Sequence, residues 1–174
     1  MPSVDMPLSE LVDYRPDRTA REDFDAFWCG CGAESDQIAV NAEFVKVEDH
    51  LPGAQVYDVA FDGVDGVRVK GWFLAPSECP DPLPSVVQFI GYSGGREYPH
   101  ALAQHVLNGF CAMIMDTRGQ GGNTGQQLAT SHGGQRGFIT HGILDKEEYY
   151  YRNLYLDTIR AVEAMRGREE VDGD

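Results

Sequence analysis

Gly91-Tyr92-Ser93-Gly94-Gly95 sets a serine between glycines in the pattern G-x-S-x-G. That pattern supports nucleophilic chemistry. On a tight strand-to-helix turn the serine hydroxyl stands exposed, the glycines relieve crowding, and a neighbouring base takes the proton. Such a set needs an acid and a histidine downstream. Asp116, His132 and His141 are available, so Ser93/Asp116/His141 is one reading of the site. The same glycines also fit a second role. A loop that receives the negative oxygen of a tetrahedral intermediate must bring its backbone close to that oxygen, and glycine permits the approach. In that role Ser93 is only a loop residue.

The elements that position this loop decide between the two. Residues 55–61 alternate and read as a strand, residues 67–75 read as another, and residues 62–66 form the turn of this antiparallel hairpin, with residues 42–47 a further candidate strand. Residues 76–84 are Pro-rich and read as a loop. Residues 86–90 are mostly apolar, like a strand buried on both faces, and the glycine loop follows at once. Residues 99–107 read as a helix with Pro99 at its start and Asn108-Gly109 at its end. Residues 111–115 form the next buried strand, closed by Asp116, so residues 86–116 make a strand–loop–helix–strand unit with two parallel strands.

Farther along, residues 117–142 are Gly-rich and long for an unstructured loop, which suggests function. Residues 147–166 read as a helix with Leu154, Ile159, Val162 and Met165 as its apolar face. Near the N-terminus, Thr19-Ala20-Arg21-Glu22 reads as a capping box. Phe24, Phe27 and Trp28 follow as the core-facing side of a helix that Gly30 and Gly32 end.

This order implies an α/β class, and G-x-S-x-G between a strand and a helix is the nucleophile-elbow motif of α/β hydrolases. There the loop after the third strand gives a backbone N–H to the oxyanion hole, and the nucleophile arrives two strands later. Residues 86–90 follow a hairpin and are about the third strand. Strand count therefore favours the oxyanion role for the loop. Asp116 is then expected to stabilise the turn after its strand.

Composition narrows the partners. A net charge of −14 repels phosphate backbones, so nucleic acid is not expected. No run approaches a membrane span, and Met1 to Glu10 lacks a basic region followed by an apolar stretch. The expected location is cytoplasmic. Cys29-Gly30-Cys31 is too close for zinc spacing, and neither a metal nor a cofactor is expected. Cys111 opens a strand and reads as a small buried hydrophobe. His100 and His105 are expected at the surface or boundary of their helix.

Several ordered motifs resemble the acetyl xylan esterase / cephalosporin-C deacetylase family, carbohydrate esterase family 7. Gln88-Phe-Ile-Gly-Tyr-Ser-Gly-Gly-Arg96 resembles its oxyanion loop, and Asp116-Thr-Arg-Gly-Gln-Gly-Gly122 its Arg-Gly-Gln-Gly signature. Arg136-Gly-Phe-Ile-Thr-His-Gly-Ile-Leu-Asp145 and Tyr149-Tyr-Tyr-Arg152 resemble the segments that follow. Tyr14-Arg-Pro16 and Phe24-Asp-Ala-Phe-Trp28 resemble the N-terminal region.

The resemblance implies a serine esterase of the α/β-hydrolase fold that deacetylates short xylo-oligosaccharides and cephalosporin C. It implies an intracellular homo-oligomer, commonly a hexamer. It assigns the oxyanion N–H to Tyr92, with Gly91 beside it at the substrate. It assigns a loop-organising role to Arg118, Gly119, Gln120 and Gly121. Ile90 stands where the family typically has histidine, and His141 where it often has a basic residue, for which a substrate-side or subunit-contact role is open. Residues 1–40 are expected to form an N-terminal helical extension and residues 41–174 the N-terminal half of the hydrolase domain. The family's nucleophile motif, Gly-x-Ser-Gln-Gly, is expected beyond Asp174. The chain alone is therefore expected to be inactive, with an unpaired sheet edge near Met113 and Met115. Two other expectations are a compact hydrolase using Ser93 and a non-enzymatic assembly module.

Overall fold

A computed structural model describes residues 5–48, 51–125, 130–131 and 137–173. His132 and Arg136 lie outside the described residues. A five-stranded sheet organises the chain: β1 (Glu43–Val47), β2 (Ala54–Asp62), β3 (Arg68–Pro76), β4 (Ser85–Gln88) and β5 (Cys111–Met115). Its order is β1-β2-β3-β5-β4. β2 and β3 form the antiparallel hairpin, and β4 and β5 run parallel. β1 pairs with β2 ahead of the hairpin, so the glycine loop follows the fourth strand in chain order rather than the third.

Because β5 inserts between β3 and β4, every one of its side chains is buried. Its alternation feeds two cores. Cys111, Met113 and Met115 join Val59, Phe61 and Phe73 under α4 (Tyr150–Arg166). Ala112 and Ile114 join Val56 and Leu74 under Leu102 and Val106. Burying each large side chain contributes about 1.5–3 kcal/mol, so this strand anchors both layers.

Met113 and Met115 thus lie one strand in from the outer strand β4, near the edge expected for them but on a strand paired on both sides. The two outer strands are β1 and β4. On the β4 side the edge is open among the described residues. That strand ends at Gln88 and is only half-buried, which corrects the expectation of a strand to residue 90 buried on both faces. The segment around residues 99–107 is a 3-10 turn, Pro99–Leu102, leading into a short helix, α3 (Ala103–Leu107).

α1 spans Leu8–Leu11 and α2 spans Phe24–Ser35. The capping box does not form. Phe24 N–H donates to Arg21 O at 3.1 Å, closing a turn, and α2 starts after it with no side-chain cap at Asp23. Nor do Gly30 and Gly32 end the helix. Contacts to α4 outweigh their low propensity: Trp28 packs on Tyr155, and Arg152 reaches Cys31 and Glu34.

On α4 the buried face is not the predicted stripe. Leu156, Ala161, Ala164 and Met165 share it with Asn153, Asp157 and Arg160. Ile159 and Val162 are exposed, and Val162 lies with Val87 and Phe89 around the open edge of β4. No helix among the described residues is long and apolar enough to cross a membrane.

Candidate oxyanion site

The loop leaves β4 and turns where Gly94 N–H donates to Gly91 O at 3.0 Å. Ser93 sits in that turn at φ 66°, a left-handed conformation that costs a non-glycine residue about 1–2 kcal/mol. Gln120 offsets the strain, since its Oε1 accepts the Ser93 backbone N–H at 2.5 Å. Its amide nitrogen donates to Tyr150 Oη at 2.8 Å, and that hydroxyl donates to Arg118 O at 2.7 Å. Burial pushes the Tyr150 phenol up to about 12, so the hydroxyl keeps its proton for that bond.

The two glycine loops pack backbone against backbone. Gly121 N–H donates to Gly94 O at 3.0 Å. A Cβ on Gly121 would stand 2.5 Å from Ser93 O, and one on Gly95 would stand 2.9 Å from Gly121 O. A Cβ on Gly122 would overlap the Asp116 carboxylate. These contacts are the physical reason for glycine at both motifs.

Asp116, at the end of β5, ties the loops together. It accepts Arg96 N–H at 2.6 Å, Asn123 N–H at 2.7 Å and the Thr124 hydroxyl at 3.4 Å. The Arg96 guanidinium reaches Asp58, donates to Gly71 O at 2.6 Å and stacks 4.0 Å over Trp72. It clamps the chain where the first glycine loop ends.

Arg118 is fully buried and grips Asp157 of α4 with two bonds of 2.6 Å. It also donates to Val64 O at 3.1 Å. Burial pushes the Asp157 carboxyl up, and the guanidinium fork pulls against that. Arg118 therefore fixes the second loop onto α4, while Gln120 carries the contact to the first.

The Tyr92 ring meets Phe138 edge-on at 5.5 Å, and its hydroxyl accepts Phe138 N–H at 3.0 Å. Among the described residues nothing accepts the Tyr92 backbone N–H. Ser93, Asp116 and His141 form no triad among the described residues. Asp116 is occupied by backbone and threonine donors, and His141 Nε2 is buried beside Tyr150 with no partner among the described residues. His100 is exposed and His105 half-buried, both away from the loop's hydrogen bonds. Trp28 is half-buried between Phe24, Phe27 and Tyr155.

A family model for acetyl xylan esterase matches residues 1–174. The chain belongs to the acetyl xylan esterase family. It is similar to the solved acetyl xylan esterase from Paenibacillus sp. R4, with 44% identity, a TM-score of 0.90, and 96% of this chain on 54% of that one. It is also similar to acetyl xylan esterase 1 from Thermoanaerobacterium sp. JW/SL YS485, with 28% identity, a TM-score of 0.87, and 97% of this chain on 53% of that one. Acetyl esterase Axe7A of Xylanibacter ruminicola is 23% identical over 158 residues, covering 87% of this chain and 36% of that protein. The chain thus spans about half the length of the two solved relatives. Its mixed sheet with flanking helices is the corresponding part of their α/β-hydrolase fold. Acetyl xylan esterases are carboxylic ester hydrolases.

Sequence reasoning had the loop and the Arg-Gly-Gln-Gly motif but not the division of labour within them. The bridging of Gln120 to Tyr150, and the pairing of Arg118 with Asp157, join residues 30 and 39 positions apart. A polar residue inside an otherwise helical apolar pattern, Asp157, was the available signal.

Proposed function

We propose that this chain supplies the oxyanion-binding half of a serine acetyl esterase, with the Tyr92 backbone N–H as one of two donors to the tetrahedral intermediate. The observation that carries the reading is a loop braced from Gln120, Gly121 and Asp116 whose Tyr92 N–H has no acceptor among the described residues. A donor held this way does not reorganise as charge develops, which is the condition for oxyanion stabilisation. Gly91 borders the substrate, and the nucleophile, base, acid and second donor come from sequence outside this chain. By family likeness the substrates are acetylated xylo-oligosaccharides and cephalosporin C. The full assembly is a cytoplasmic homo-oligomer, a hexamer by the same likeness, needing no metal or cofactor.

One observation favours Ser93 as nucleophile: its positive φ, which an elbow serine also adopts. Against it, no histidine or carboxylate among the described residues bonds the Ser93 side chain, and no helix begins at the turn. Hydrolysis of p-nitrophenyl acetate separates the possibilities. The isolated chain is expected to show no Ser93-dependent turnover. Supplied with the second half of the family's length, it is expected to turn over and to tolerate Ser93→Ala. Tyr92→Pro, which removes the N–H, is then expected to cost about 10²–10³ in kcat. Serine-dependent turnover by the isolated chain sinks the proposal. No recovery with the second half favours a non-enzymatic assembly module.

A further inference from the structure

Cys79 and Cys111 are distant in sequence but converge on one carbonyl. Cys111 Sγ lies 3.3 Å from Glu170 O, and Cys79 Sγ lies 3.9 Å from the same oxygen. Both sulfurs therefore face the same oxygen, one from the loop and one from the strand. Cys79 belongs to the Pro-rich loop, is partly exposed, and has Asp81 O at 3.2 Å as a second acceptor. Cys111 is fully buried at the start of β5. Both are free.

We infer that Cys79 and Cys111 are a modification site that closes into a disulfide when a low-molecular-weight disulfide such as oxidised glutathione reaches Cys79. The asymmetry of exposure sets the sequence of steps. The Cys79 thiolate, having lost its proton to solvent, attacks one glutathione sulfur. A Cys79–glutathione bond forms, and the other glutathione leaves as thiolate and is protonated. Cys111 loses its proton to solvent and attacks Cys79 Sγ as a thiolate, forming the Cys79–Cys111 bond, and the second glutathione leaves as thiolate and is protonated. Two protein thiols are oxidised, and one glutathione disulfide is reduced to two thiols. Burial raises both protein thiols, Cys111 to about 12, so the closure is slow near neutral pH.

The surroundings tolerate the product. Losing two S–H donors leaves Glu170 O with the Leu83 N–H, which donates to it at 2.9 Å. No buried polar group is orphaned there. The bond joins the loop to the start of β5, where the residue after Glu170 already bridges Leu83.

The test is peptide mapping of the full chain after incubation with oxidised glutathione at alkaline pH. Cys29→Ser is included to remove the exposed cysteine of α2. The expected result is a Cys79–Cys111 linked peptide and no glutathione on the protein. In Cys111→Ser the mixed disulfide at Cys79 persists, because its resolving thiol is gone. In Cys79→Ser the buried Cys111 stays free. The linked chain is expected to melt roughly 5–10 °C above its reduced form. A glutathione that persists on Cys79 in the presence of Cys111 overturns the inference, as does a wild-type pair that stays fully reduced.

Discussion

Replacing Asp157 with asparagine removes one charge from a pair in which neither side chain has any solvent exposure. Among the described residues the Arg118 guanidinium then keeps Val64 O as an acceptor at 3.1 Å, with the Asp65 carboxylate 3.9 Å away as a charge partner too far to accept a hydrogen bond. Its Nη1 already lacks a hydrogen bond. Breaking one member of a buried pair costs about 3–5 kcal/mol, because the remaining charge stays out of water. The asparagine oxygen still accepts one of the two donors, which places Asp157→Asn near the lower end. For a chain of this size that lowers Tm by roughly 10 °C. Urea denaturation followed by circular dichroism reads the loss directly. Arg118→Met completes a double-mutant cycle, with an expected coupling of about 1.5–3 kcal/mol. A single-variant loss under about 1 kcal/mol, or additive effects, would falsify the claim that this pair fastens the second glycine loop to α4.

Gly121→Ala forces a Cβ to within 2.5 Å of a backbone oxygen, so the two loops must separate. The expected cost is about 1–3 kcal/mol in stability, with the Ser93 and Gly94 amides losing hydrogen-exchange protection; an unchanged exchange pattern refutes the packing account. Asn41 and then Arg68 hold the Asp62 carboxyl below its ordinary range. A depressed carboxylate adds stability that is full above its unfolded pKa, about 3.9, and is lost as pH falls through the folded value. Asp62→Asn is expected to flatten the acid limb of a stability–pH curve below about pH 4 while leaving its shape near neutrality; an unaltered acid limb counts against the assignment.

The sequence by itself determined the hairpin, the parallel unit, the two glycine loops and the family. Each rests on local signals: alternation in β2 and β3, apolar runs at β4 and β5, and motifs whose glycines are forced by close backbone approach. Only the tertiary structure decided where β5 goes. Insertion between β3 and β4 is a matter of strand order, which no local pattern carries. It set Met113 and Met115 one strand in from the outer strand, with β3 on one side and β4 on the other. It likewise decided the ends of α2, because contacts from Trp28 and Cys31 to α4 override a missing cap and two glycines. The buried face of α4 was illegible for the same reason. Asn153, Asp157 and Arg160 are buried because partners brought from Asp65, Val64, Arg118 and Ser35 satisfy them. A hydrophobic stripe cannot reveal polar groups that become affordable in the core only once their hydrogen-bonding partners arrive.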